Sequence, residues 1–277
     1  MPSSALRLRD LRSIYELVHE CRALGDEPGT WRRHWFARLG ALTGADIIVG
    51  GEFAECLGPR PRALGTTEWG WTNGFDRGAW MRALIEFGED PSFSEMLVAY
   101  FARLQRDDGL CASRTELLQD ANWYRSRYYE VIHLGIGVDH TLQCYRSLPG
   151  APTEFNSVTL GRAAGEKDFT ARHKALVQEA HAVLAPLVGN ALARFTEPSP
   201  SDLAPRVREV LRCLLEGDSD KQIAARLGIS KYTVNQYVKV IFSHFGVTTR
   251  AELLARWIRR GWGNGCAWVN DNGHAPK

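Results

Sequence analysis

No stretch of this 277-residue chain approaches the roughly 18 consecutive apolar residues that a membrane helix requires. Its opening residues, MPSSALRLRDLRS, lack the apolar run of a secretory signal, so no membrane partner is expected and the compartment expected is the cytoplasm. The six cysteines (Cys21, Cys56, Cys111, Cys144, Cys213 and Cys266) are scattered and form no C-x-x-C, which leaves reduced core thiols as the expectation. Catalytic signatures are missing as well: there is no G-x-S-x-G, no P-loop and no H-E-x-x-H. Gly135-Ile136-Gly137 starts a glycine-rich pattern that runs out at Val138-Asp139-His140. His133 and His140 have no carboxylate or cysteine at matching ligand spacing. An enzyme is therefore not expected, and neither is a cofactor or a metal.

What the chain does have is an uneven charge distribution. Residues 203–262 carry 11 Lys/Arg against 5 Asp/Glu, whereas the first 202 residues carry 22 against 26. A basic C-terminal module on a slightly acidic N-terminal one is the pattern expected when only the C-terminal part meets nucleic acid. The run Glu197-Pro198-Ser199-Pro200-Ser201 reads as the joint between them, giving domains at 1–197 and 203–262, a linker at 198–202 and a Gly-rich tail at 263–277.

Within the basic module, Gly217–Val247 reads as two helices joined by a tight turn. Ser219 with Gln222 three residues on is a capping box, Ile223, Ala224 and Leu227 form a stripe, and Gly228 can end the helix in a left-handed turn. Ser230 can cap the second helix, whose inner stripe is Val234, Val238, Ile241, Phe242 and Phe245. The opposite face carries Tyr232, Asn235, Gln236, Lys239 and Ser243, an amide-and-lysine surface suited to a DNA major groove.

Leu203–Arg260 resembles the LuxR-type helix-turn-helix output domain of bacterial transcription regulators. The resemblance rests on Leu203, Pro205, Val210-Leu211, Glu216-Gly217, Lys221-Gln222-Ile223-Ala224, Leu227 and Ile229-Ser230, and continues through Thr233-Val234, Val238, Ile241, Gly246-Val247 and Arg250. It implies an all-α four-helix domain that binds double-stranded DNA. Base contacts fall on Asn235, Gln236 and Lys239, and phosphate contacts on Lys221, Ser230, Lys231, Thr233 and Arg250. The chain departs from the family pattern at Ala204 and Val207, where a Thr-to-Glu capping box usually opens the first helix and where Asp202 becomes the candidate cap, and at Tyr237 and His244. A homodimer is expected, because two-fold operators match two-fold proteins. Its candidate surfaces are a helix over 170–195 and the last helix, 249–260, where Leu253 and Trp257 share a face; the alternative buries Trp257 against the first helix of its own module. The runner-up readings are a helix-turn-helix that contacts protein, with RNA polymerase as partner, and a sigma-factor-like protein.

The N-terminal part reads as α+β. Helices are expected over 6–24, 30–42, 76–87, 93–104 and 122–129, and strands over 45–53 and 64–72, the latter with Trp69 and Trp71 on one face. His140–Leu148 and Phe155–Arg162 read as a hairpin with a long turn at 149–152, followed by a helix from Thr170 to Phe195 kinked at Pro186. This order of a five- or six-stranded antiparallel sheet, helices and an exit helix is similar to a GAF or PAS sensory domain and implies a ligand- or partner-responsive module. Candidate ligand residues for an unidentified small molecule are the central aromatics Trp69, Trp71, Trp123, Tyr124 and Tyr128, with Trp80 and Tyr129 beside them. Two better-defined sensor types do not fit. Quorum-sensing members carry Trp and Tyr ahead of an Asp-Pro, and registering Asp90-Pro91 places Arg77 and Met81 there; no strand ending in paired acids marks a receiver domain.

Overall fold

The computed structural model describes residues 6–58, 61–71, 78, 90, 93–196, 198 and 200–259. The expected helix over 76–87 and Trp80 lie outside the described residues, apart from Gly78. Two helices open the chain, α1 (Leu8–Ala23) and α2 (Pro28–Thr43). Glu27 caps α2 by accepting from the Gly29 and Thr30 amides, with Pro28 at the first helical position, where its missing N–H costs nothing. The Trp31, Trp35, Phe36 and Leu39 stripe of α2 is fully buried.

The strands are β1 (Ile47–Ala54), β2 (Arg62–Trp69), β3 (Cys111–Ser113), β4 (Val138–Leu148) and β5 (Ala151–Ala163), antiparallel in the order β2-β1-β5-β4-β3. Every residue of β1 is buried, because both faces of the sheet are covered. Ile48, Leu142, Cys144, Val158 and Leu160 face a layer made by α1, α2 and α6 (Ala171–Leu184). Ile47, Phe53, Val138 and Phe155 face a second layer built from α3 (Glu95–Leu104), α4 (Arg114–Leu117), α5 (Asp120–Trp123) and a π-helical turn, Tyr129–His133. Ser94 caps α3 and the Ser113–Glu116 capping box opens α4.

Four expectations are corrected. The β4–β5 turn is two residues, Pro149-Gly150, not four: Leu148 pairs with Ala151, and Gly150 at φ +74° supplies the left-handed residue. Trp69 and Trp71 do not share a face. The strand stops at Trp69, Gly70 turns at φ +89°, and Trp69 packs on the α1/α2/α6 layer while Trp71 packs on the other. The expected helix over 122–129 is instead α5, a turn, and the π-helical turn after it. The helix expected to run to Phe195 ends at Leu184. A 3-10 turn (Ala185–Leu187) carries Pro186, which has no N–H to continue an α-helix, and Gly189 at φ +86° reverses the chain.

Beyond α6 and this reversal, the chain runs as an extended segment pinned to the N-terminal domain. The Ala193 amide donates to Gly25 at 2.6 Å, and Trp31 Nε1 donates to the Ala193 carbonyl at 3.0 Å. The Phe195 ring lies where a Cβ on Gly65 would stand, 2.1 Å from its Cγ. Beneath this segment sits Glu52, fully buried, accepting from Arg32 Nη2 at 2.5 Å, Arg194 Nε at 2.9 Å and the Phe195 amide at 3.0 Å.

Among the described residues the regular elements of the C-terminal part are helices: α7 (Pro205–Leu215), α8 (Asp220–Leu227), α9 (Lys231–Phe245) and α10 (Arg250–Arg259). The N-cap of α7 falls on Ala204, which offers no side-chain bond; Pro205 at the first position takes the place of a cap, and Asp202 belongs to the preceding 3-10 turn, Pro200–Asp202.

Removing Glu52 leaves Arg32 buried without its counter-charge. Glu52→Ala is expected to cost about 3–5 kcal/mol, read as a lowered thermal midpoint of the N-terminal domain by tryptophan fluorescence. A loss below about 1 kcal/mol would show the network to be dispensable.

Candidate nucleic-acid interface and effector cavity

The two helices around Gly228 are built as their caps dictate. Ser219 and Gln222 form a reciprocal capping box at the start of α8, with the Ser219 amide donating to Gln222 Oε1 at 2.8 Å. Gly228, at φ +65°, ends α8, and the Ile229 amide returns to the Ala224 carbonyl at 3.1 Å. Ser230 Oγ then accepts from the Thr233 amide at 3.0 Å and fixes the start of α9.

One face of α9 is core: Val234, Ile241 and Phe245 are buried with Val210, Leu211, Ile223 and Leu253. The other face is open to solvent. Asn235, Gln236, Lys239 and Ser243 are exposed along it, with Tyr232 at 73% and Val240 at 48%. Val240 carries no signal in the sequence, where it reads as one more apolar residue of a helix. Four residues after Gln236 it stands on the same face, and an aliphatic group there suits contact with a thymine methyl.

The basic residues divide into two kinds. Arg226 is tied to Glu216 and to Asp218 at 2.9 Å, and Glu216 first, then Asp218, holds its guanidinium above its ordinary pKa. Arg206 pairs with Glu209. Three arginines also close helix ends: Arg250 donates to the Leu214 carbonyl at 2.7 Å, Arg206 to Leu227, and Arg256 to Phe245 at 2.8 Å. Those carbonyls lie at the C-termini of α7, α8 and α9, where the last turn has no intrahelical donor. Arg250, expected at a phosphate, is therefore committed in part to holding α10 against α7. Lys221, Lys231 and Lys239 are exposed and have no acidic partner among the described residues.

Leu253 and Trp257, expected at a dimer surface, are instead interior. Leu253 is fully buried and Trp257 is 4% exposed, its ring edge-on to Phe245 at 5.8 Å. On the other candidate surface, α6, the apolar face (Leu176, Val177, Ala180, Leu184) fills the N-terminal core, which leaves its partly exposed polar face.

In the N-terminal domain the sheet and the second helical layer border a partly open cavity with about 60 Å³ of room for the centres of water-sized molecules. Ile47, Val49, Phe53, Leu97, Ile136 and Val138 make its apolar wall; His133, Gln143, Thr141 and Ser157 supply polar groups. Of the five aromatics expected at a ligand site only Tyr128 lines it. Trp123 is core, its Nε1 donating to Asp139 at 3.0 Å; Tyr124 is half-exposed, its hydroxyl on the same carboxylate at 2.7 Å. Trp69 and Trp71 pack on opposite layers and do not line the cavity. Burial pushes His133 down to about 4, against a partial counter-effect from its bond to the Val138 carbonyl and from Asp139. No group of three or more His, Cys, Asp or Glu that could hold a metal occurs among the described residues, and no described helix is long and apolar enough to cross a membrane.

Comparison with known proteins places the C-terminal region. Residues 201–256 match the family of bacterial regulatory proteins, luxR family, so this domain is a LuxR-family helix-turn-helix. A protein named as a probable HTH-type transcriptional regulator, GfsR of Streptomyces halstedii, is 35% identical over 71 residues, 25% of this chain and 29% of the relative. The response regulator Rre1 of Synechocystis is 30% identical over 125 residues, 42% of this chain and 54% of the relative. The chain thus spans about half or less of the length of the curated relatives it matches. Among solved structures, Escherichia coli SdiA is 16% identical with a TM-score of 0.34, covering 92% of this chain and 95% of that one.

Two measurements test these placements. Trp257→Ala is expected to cost the C-terminal domain about 3–5 kcal/mol by circular-dichroism melting, as a core truncation does. An unchanged melt accompanied by a smaller sedimentation coefficient would instead make Trp257 an interface residue. For His133 the folded pKa of about 4 lies below the usual 6.5, so the unfolded chain binds the extra proton between these values. Stability should be complete above pH 6.5 and fall by up to about 3 kcal/mol as pH drops towards 4. His133→Phe should flatten that part of the thermal-midpoint profile; an unchanged slope would place the titration elsewhere.

Proposed function

We propose that this chain, whose C-terminal domain belongs to the luxR family of bacterial regulatory proteins, is a transcription regulator that reads duplex DNA through α9 and responds to a small molecule held in its N-terminal domain. The observation that carries the reading is the exposed amide, lysine and valine face of α9 opposite a fully buried stripe. Asn235 and Gln236 can each pair bidentately with the N6/N7 edge of adenine, and Lys239, one turn on, reaches a guanine edge. Lys231, Ser230 and Thr233 surround the N-terminus of α9, where backbone amides also favour a phosphate; Lys221 adds a second phosphate contact from α8. The domain division is part of the same reading: a sensory unit to residue 197, a joint at 198–202 and a DNA-binding unit at 203–262. So is action on DNA as a pair of chains in the cytoplasm, since one such module makes few phosphate contacts. Enzymatic chemistry forms no part of the proposal.

The test is binding of the full chain to a selected operator and to random duplex across a salt series. Asn235→Ala or Gln236→Ala should cost about 1–3 kcal/mol on the operator and little on random DNA. Lys231→Ala should weaken both and lower the salt slope by about one unit. The chain-to-duplex stoichiometry reads the pairing. Unchanged specificity ratios in both amide variants would mean that sequence is read elsewhere.

A further inference from the structure

We infer that the N-terminal cavity takes a small, neutral, largely apolar molecule bearing a hydrogen-bond donor, a phenol-like hydroxyl or an N–H, which is delivered to His133 and Gln143. This rests on the proposed effector-responsive role of that domain.

The charge of the ligand follows from the wall. No Lys, Arg, Asp or Glu lines the cavity among the described residues, so a buried ion there would have no counter-charge and would keep most of its desolvation cost. Its apolar part follows from Ile47, Val49, Phe53 and Leu97.

The donor follows from two acceptors. His133 Nδ1 lies 3.2 Å from the Val138 carbonyl, and a carbonyl only accepts, so the proton sits on Nδ1. With the ring held neutral by burial, Nε2 is an acceptor, and it is a buried atom with no partner among the described residues. Gln143 Nε2 lies 3.9 Å from Met96 Sδ, while Gln143 Oε1 is likewise buried and without a partner among them. Both side chains are 3% exposed and both line the same cavity. An unmet buried acceptor carries a desolvation cost of about 1–3 kcal/mol, which a donor on the ligand removes. A ligand offering only acceptors would leave both groups unmet and add its own.

The test uses 4-propylphenol and its methyl ether, 4-propylanisole, which has the same ring and chain but no donor. Calorimetry and thermal midpoints on the full chain should show the phenol binding about tenfold more tightly than the ether, the ratio that one buried hydrogen bond supports. In His133→Phe, or in Gln143→Met should the first variant fold poorly, that preference should shrink to about twofold or less. Equal binding of phenol and ether would overturn the inference, with water meeting the acceptors, while leaving the effector cavity itself in place. Binding of neither probe, with operator binding intact, would overturn the inference and the effector role together while leaving the DNA-binding assignment standing.

Discussion

Everything in the N-terminal domain is arranged around the carboxylate of Glu52, a charge that has no access to water. A lone buried carboxylate would neutralise itself or unfold the site. Here it accepts from two guanidinium groups, Arg32 and Arg194, and from the Phe195 amide. Burial in turn lowers Arg32 to about 10, chiefly through desolvation, with Glu52 working against the shift. Each partner comes from a different part of the chain: Arg32 from α2, Glu52 from β1, Arg194 and Phe195 from the segment that leads to the DNA-binding helices. Such a network contributes little net stability compared with apolar packing, but it penalises every arrangement in which one member is missing. It therefore fixes where the exit segment lies rather than how strongly the domain folds.

The polar thread continues from this point through the core. Arg32 Nη2 reaches Asn156 Oδ1 at 3.4 Å, so the Asn156 amide nitrogen is turned to His181 Nε2 at 3.1 Å, and His181 Nδ1 meets Cys144 Sγ at 3.1 Å. Apart from Arg32 Nε, which is buried without a partner among the described residues, the groups of that chain are linked by hydrogen bonds, which is how polar side chains can sit among Trp35, Phe36 and Leu142. Strand β1 separates this thread from the cavity. Ile47, Val49 and Phe53 line the cavity, while Glu52 turns the other way; the period of two along one strand puts ligand wall and ion network back to back.

The helix-turn-helix is legible in the sequence because its signals are local. A capping box, a left-handed glycine and a serine cap each act over three or four residues, and Ser219, Gly228 and Ser230 all take those roles. Four of the five strands are legible for the same reason, whereas β3, three residues long, is too short to carry an alternating pattern. What fails is whatever depends on partners distant in sequence. The apolar stripe at Trp257 fits a dimer face and the module's own core equally, and only the fold shows Phe245 packed against it. Trp123 and Tyr124 read as ligand residues because they are aromatic and clustered, yet Asp139, fifteen or sixteen residues on, claims both polar ends. His133 and Gln143 carry no signal as ligand groups: a histidine and a glutamine in a β-rich region are ordinary, and only their unmet atoms in a shared cavity distinguish them. Pro186 reads as a kink, since sequence alone does not say whether packing will carry a helix past a proline; here Gly189 and the pinned segment beyond it end the matter.

The same distinction between local and distant partners explains the charge on the DNA-binding domain. Its formal excess of basic residues suggests a broad phosphate-binding surface, but several of its arginines are held in place by contacts within the fold. Arg206, Arg250 and Arg256 sit on carbonyls at the ends of three successive helices, and Arg206 and Arg226 are paired with acids. A planar guanidinium suits that work, because it can meet a carbonyl and a carboxylate at once. Lysine, a single strongly hydrated charge on a flexible stem, suits the other task of following a phosphate without fixing its geometry. Lys221, Lys231 and Lys239 stand on α8 and α9 where no acid competes among the described residues. Arginines thus hold the helices in register, and lysines are left for the solvent face. On this division the salt dependence of DNA binding reports the cations free to reach phosphates, the lysines first, rather than the full count of positive charges, because counterion release follows the number of phosphates contacted.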